Sequence, residues 1–201
     1  MTDVKITVGL PDKFRAEAAH LYFDSFWPKL GKVLGQDQKH QIAALATPKL
    51  RADRAIIAQR ASELLGIAGF KRDGIGLVDL KLADLQKHFS WWGGLWRGAA
   101  LTLLDREDQA DTLLMDGICV SNAARGQGIG TLLLNAIEDE ARRLGLARVR
   151  LDVIDSNPRA RALYERQGFQ AVRTSNLGPL AYVFGFSAAT EMHKMIGAHH
   201  E

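Results

Sequence analysis

Cysteine is almost missing from this 201-residue chain: Cys119 stands alone, which excludes an intrachain disulfide and any multi-cysteine metal site. Charge of one sign is also scarce. The formal net charge is +3 and no long lysine or arginine run occurs, which argues against a nucleic-acid partner while allowing a modest basic cleft for phosphates. No apolar run approaches membrane-spanning length, and the opening MTDVKITVGL is too polar for a secretory signal. The expectation is a cytoplasmic protein with no membrane partner. Internal repeats, low-complexity tracts and Pro/Gly/Ser-rich linkers are absent as well, so a single domain over residues 1–201 is expected.

What is present is strongly patterned. DVKITVGL reads as a first strand. After Pro11, Phe14, Ala18, Tyr22, Phe26 and Leu30 recur at helical spacing, with Pro28 expected to end or kink that helix. A second helix is expected from Gln36 to Leu45. RAIIAQ (54–59) and ELLGIAGF (63–70) read as a hairpin, and residues 79–104 as helical with a break at Gly93-Gly94. DTLLMDGICV (111–120) reads as a buried strand, and 131–145 as an amphipathic helix that Gly145 caps. ARVRLDVI (147–154) alternates as a half-buried strand. Asn157-Pro158 then supplies a cap followed by proline at the first helical position. FQAVR and TEMHKMI (190–196) close the series as strands, so the order is mixed α and β.

Three glycines, Gly126, Gly128 and Gly130, alternate in NAARGQGIGT, between the buried strand and the 131–145 helix. Unpaired N–H groups and the positive end of the helix dipole meet there, and absent side chains let an anion approach. A pyrophosphate is the natural ligand, with Arg125 at the rim; the alternative is a turn that merely lets strand and helix pack closely. No lysine follows as a P-loop requires, and G-x-G-x-G lacks the Rossmann spacing, so both nucleotide readings fit poorly.

A second constellation lies about thirty residues on. NPRARALYERQGF (157–169) sets Asn157, Ala160, Leu163, Tyr164, Gly168 and Phe169 around a short helix. With Arg125-x-x-Gly128-x-Gly130 upstream, it resembles the GNAT superfamily of acyl-CoA-dependent N-acetyltransferases. The resemblance is specific over 111–173 and holds in element order elsewhere. It implies an α+β (mixed α/β) fold: a GNAT-like twisted mixed β-sheet flanked by helices, with a helical insertion at about 71–110 before the fourth strand. The fourth and fifth strands would splay, with pantetheine in the gap.

The implied chemistry is direct transfer of an acetyl group from acetyl-CoA to an amine of a small molecule or protein. By resemblance, Arg125, Gly126, Gln127, Gly128, Ile129, Gly130 and Thr131 would cradle the pyrophosphate. Backbone groups of Ile118, Cys119 and Val120 would pair with pantetheine as an added strand, and Asn157 would cap its helix and touch the cofactor. Tyr164 matches the family's thiolate-protonating tyrosine, since a phenol near pKa ~10 can donate to a departing thiolate near ~8.5. Asp116 is the acid of its strand expected to face the substrate, sharing parity with Ile118 and Val120. It is a base or a structural aspartate with equal weight. Cys119 is expected to be a small buried hydrophobe without chemistry; His199 and His200 belong to a polar tail and the other four histidines show no metal-ligand spacing, so no metal is expected.

Trp91, Trp92 and Trp96, with His88, crowd the insertion and would line an acceptor site, form a lid, pack the insertion or make a subunit contact. NLGPLAYVFGF (176–186) would close over the acceptor or join a homodimer. Two rivals remain: an acyl-CoA-binding or sensing protein with little catalysis, and a nucleotide-binding regulator.

Overall fold

The computed structural model describes residues 3–80, 84 and 109–197. The elements run β1 (Lys5–Val8), α1 (Arg15–Leu34), α2 (Lys39–Ala46), β2 (Ala55–Arg60), β3 (Glu63–Lys71), β4 (Thr112–Val120), α3 (Ile129–Arg143), β5 (Arg148–Ile154), α4 (Pro158–Arg166), β6 (Gln170–Asn176), α5 (Ala181–Phe184) and β7 (Ala188–Met195). All seven strands join one sheet in the order β1-β2-β3-β4-β5-β7-β6. Only β4 and β5 run parallel; the other neighbours are antiparallel.

Helices cover both faces of the first half of the sheet. Leu133, Leu134, Ile137 and Ala141 of α3 pack on Ile56, Ala58, Leu65 and Ala68. Phe14, Ala18 and Ala19 pack on Ala55, Ile57, Leu64 and Ile67 from the opposite side. A sheet buried twice over needs strands with few polar breaks, which is why 55–58 and 64–70 read as near-continuous apolar runs.

Pro28 does not end α1, which continues to Leu34 and stops at Gly35. A proline inside a helix costs about 3 kcal/mol, but Phe23, Trp27 and Leu34 flank it and bury against Ile42, Ala43 and Ala46 of α2. The Trp27 indole also donates to the Gln36 carbonyl at 3.1 Å. The stretch expected to be one helix from Gln36 divides into a 3-10 turn over Gln36–Gln38 followed by α2.

Residues 71–80 are not helical, so the expected insertion does not begin there. Arg72 and Ile75 exchange backbone hydrogen bonds of 3.0 Å around Asp73-Gly74, both left-handed with φ of 54° and 76°. That is the two-residue hairpin turn that Asp-Gly favours. The chain then returns as an extended strap, bridging Leu50 at Val78, with Leu77 packed on Gly69. Trp91, Trp92, Trp96 and His88 lie outside the described residues.

Candidate active site

The pairing of β4 with β5 is brief. Thr112, Leu113 and Leu114 are in register with Arg148, Val149 and Arg150, and the register ends there. Beyond it, β4 stays with β3 as far as Val120 opposite Gly66, and β5 stays with β7 as far as Ile154 opposite Ala189. The two strands therefore part beyond Leu114 and Arg150. A strand edge that leaves its neighbour inside a cleft is the kind of edge to which an extended chain adds as an extra strand.

At the wide end of this wedge lies the glycine loop. Gly126 and Gly128 are left-handed, with φ of 77° and 79°, and a Cβ on either would meet nothing within 4 Å. Glycine is required there by backbone conformation, and the space in front of the loop is open. Gly130 serves a different purpose: a Cβ there would press on Leu163 of α4 at 3.1 Å, so it lets α3 and α4 approach. No side chain caps α3 and no acid occupies its first turn, which leaves its opening N–H groups directed at the open space. This cradle fits a diphosphate. Gln127 is held in place, its amide oxygen accepting from Arg60 at 3.0 Å and its amide nitrogen donating to the Ala123 carbonyl at 2.8 Å. Arg125 is exposed and borders a cavity of about 530 Å³ on the α1 side, shared with Glu17, His20, Asp24 and Lys39.

Deeper in the wedge is a cavity of about 250 Å³ lined from four elements, including Asp116 and Ile118 of β4, Asp152 of β5, Asn157 at the α4 cap, Tyr164 of α4 and Phe26 of α1. Tyr164 is 5% exposed and packs on Phe169, ring centroids 6.0 Å apart. Its hydroxyl makes no hydrogen bond to any described residue. Burial, and secondarily the nearby Cys119 thiol, push its phenol well above the usual range, so it stays protonated at neutral pH. Asn157 caps α4 by accepting the Ala160 N–H at 3.2 Å, with Pro158 at the first helical position as expected.

Asp116 lines this cavity but does not share a side of the sheet with Ile118 and Val120, which its parity with them led one to expect. Opposite Asp116 the β3–β4 register slips: Phe70 pairs with Met115 and Gly69 with Gly117, so Asp116 is the additional residue of a bulge. Met115 and Ile118 consequently both reach the α3-side core, while Asp116 turns to the α1 side. There its Oδ2 accepts the Leu77 N–H at 2.9 Å. Neighbouring Gly117 lies under the Phe26 ring, in space that a Cβ would occupy. A strict two-residue period inverts at a bulge, which is why parity with Ile118 and Val120 misplaced it. Tyr22 lies close by: burial chiefly, and then the Asp116 charge, raise its phenol well above the ordinary value. Ile118 and Val120 pack toward α3, and Cys119, 2% exposed, packs with the α1-side core.

The acetyltransferase (GNAT) family model matches residues 20–169, well over half of the chain. The chain belongs to this family of acyltransferases. Over 62 residues it is 44% identical to an acetyltransferase from Agrobacterium fabrum, "Acetyltransferase Atu2258", a stretch that spans 31% of this chain and 42% of that relative. A solved structure described as an acetyltransferase superposes with a TM-score of 0.62 at 22% identity, covering 96% of this chain and all of the other. The ribosomal-protein-S18-alanine N-acetyltransferase of Escherichia coli superposes with a TM-score of 0.56 at 17% identity, over 99% and 97% of the two chains. These structures establish the shared fold.

Within the GNAT sheet, Asp152 and Phe26 are cavity residues that sequence reasoning did not select. Asp152 left a signal, as a charged residue amid the apolar alternation of β5; Phe26 looked like any core position. The 176–186 segment forms a 3-10 turn over Gly178–Leu180 and the short α5, burying Phe184 and Phe186 against Ile154 and Leu177. Arg161 makes an exposed i,i+4 pair with Glu165 at 2.8 Å.

Proposed function

We propose that this protein transfers an acetyl group from acetyl-CoA directly to a primary amine of a small molecule or protein. The observation that carries this reading is Tyr164: a buried phenol without a hydrogen-bond partner among the described residues, facing a cavity that opens where β4 leaves β5. Acetyl-CoA would supply the acyl group as a thioester.

The chain's own residues then divide the work. The loop 125–131 would hold the diphosphate through the α3 N-terminus, with Arg125 adding charge at the rim. The gap-facing edge of β4 at Ile118, Cys119 and Val120 would align the pantetheine arm and supply an N–H to the acyl oxygen. A preorganised donor of that kind contributes about 3–4 kcal/mol in related chemistry. Tyr164 would give its proton to the departing sulfur, a role its raised pKa supports by keeping it protonated. Asp116, in the same cavity, would take the amine's proton directly or through water. Asn157 would touch the cofactor beside its cap. A cytoplasmic location accompanies this reading, since acyl-CoA thioesters are made and used inside cells.

The test is thiol release from acetyl-CoA across a panel of primary amines, alongside calorimetry with coenzyme A. Saturable binding with amine-dependent thiol release is expected. Binding without release would favour an acyl-CoA sensor, and no binding would remove the reading altogether.

A further inference from the structure

We propose that Arg60, held by the side chain of Gln127, is a further cofactor-binding residue: it receives the 3′-phosphate on the ribose of coenzyme A and makes the protein select that carrier over its 3′-dephospho form. This rests on the acetyl-CoA reading above and adds a second anion contact beside the diphosphate cradle.

Arg60 ends β2, and the tight turn through Ala61 and Ser62 brings Glu63 directly opposite it. Opposite charges facing each other across a hairpin ordinarily pair. Arg60 forms no ion pair with Glu63 or with any other described carboxylate. Its guanidinium reaches instead to a loop 67 residues away, where Nη2 donates to the Gln127 Oε1 at 3.0 Å. The Gln127 amide is itself fixed, because its Nε2 donates to the Ala123 carbonyl at 2.8 Å, which keeps Oε1 turned toward Arg60. A neutral amide leaves the guanidinium charge uncompensated and most of its five N–H donors free for another acceptor. The half-buried Arg60 is thus a stationed cation at the glycine loop.

Topology decides which anion it meets. β2 and β4 run the same way, each antiparallel to β3, so the end of β2 stands at the same end of the sheet as the loop that follows β4. In the order β2-β3-β4-β5, however, β2 lies on the side of β4 away from β5. Arg60 and the β4–β5 wedge therefore flank the glycine loop from opposite sides. A cofactor whose thioester arm lies in the wedge and whose diphosphate sits at the start of α3 carries its nucleoside out beyond the loop. The next anion along it is the ribose 3′-phosphate. Gly126 and Gly128 flank Gln127, so neither chain neighbour contributes a side chain that would cover it. A phosphate monoester accepts paired N–H donors from a guanidinium, which an ammonium cannot reproduce.

Calorimetry on the full chain compares coenzyme A with 3′-dephospho-coenzyme A. The parent protein should bind coenzyme A about tenfold more tightly or better. Arg60→Gln should bring that ratio close to one by weakening coenzyme A alone, and Arg60→Lys should keep part of it. Gln127→Met, at an exposed position, should lower the ratio partway, since the guanidinium loses its anchor but keeps its charge. Equal affinities in the parent would overturn the proposal and leave the acetyl-CoA reading standing, whereas binding of neither ligand would overturn both. An unchanged ratio in Arg60→Gln would also overturn it. So would an equal loss for both ligands, which would put the guanidinium on the diphosphate. If Arg60→Gln does not fold, Gln127→Met decides by the same ratio, and an unchanged value counts against the proposal.

Discussion

The two ends of the β4–β5 cleft are made of different materials. At the loop end, residues 125–131 offer backbone: left-handed glycines with open space before them and an uncapped helix start. At the inner end the contacts are side chains brought from α1, β4, β5 and α4. The loop end needs one continuous segment in one conformation. The inner end exists only when four separated segments pack, and behind Asp152 it needs the Arg150, Glu191, His193 and Arg173 network as support. On the proposed reading, the cofactor's diphosphate would be held by backbone geometry, whereas the reacting end would depend on tertiary convergence.

This contrast is sharpest at Tyr164, an inner-end residue with no part in holding the loop. Tyr164→Phe should lower turnover by about 100-fold or more, the usual range for a lost proton donor. Acetyl-CoA affinity by calorimetry should stay nearly unchanged. Equal losses in both would erase the distinction between the two ends.

Glu191→Gln probes the support under the inner end. Breaking a buried charge network by removing one member costs about 3 kcal/mol, to be read by urea unfolding at neutral pH. Burial raises the Glu191 carboxyl, but the His193 hydrogen bond and the Arg150, His193 and Arg173 charges outweigh it and leave the pKa below its usual value. A carboxyl whose folded pKa is depressed contributes stability above its unfolded pKa and loses it as pH falls through the folded value. Acidification below the ordinary carboxyl pKa of ~4.3 should therefore cost the parent protein more stability than Glu191→Gln.

Gly128→Ala addresses the loop end. The left-handed φ of 79° penalises any side chain by about 1 kcal/mol, and acetyl-CoA affinity should fall by roughly tenfold while the KM for amine is little altered. A larger loss in amine KM than in cofactor affinity would contradict the division. Asn157→Ala gives the smallest effect, about 1 kcal/mol of stability from the lost cap. A parallel fall in acetyl-CoA affinity would add a cofactor contact to the capping role.

How legible each region was follows the same divide. The glycine loop, the Asn157-Pro158 start of α4 and the hairpin of β2 with β3 were readable because their determinants are adjacent in the chain. Asp73-Gly74 was equally readable as a hairpin turn, yet the helical reading of the following residues drew the insertion across it. Pro28 does not end α1 because local propensity set against burial on both of its flanks is outweighed. Asp116 misled because a bulge depends on pairing with β3, which no count along β4 reveals.

The order of elements, the left-handed glycine turn at the start of α3 and the Asn157-Pro158 start of α4 were determined by the sequence alone, since turn conformation, capping and helical period act between near neighbours. Tertiary structure decided the face to which Asp116 turns, the meeting of Asp116, Asp152 and Tyr164 around one cavity, and the opening between β4 and β5. Those features depend on the register of paired strands and on packing between distant segments, and neither is written within any one segment.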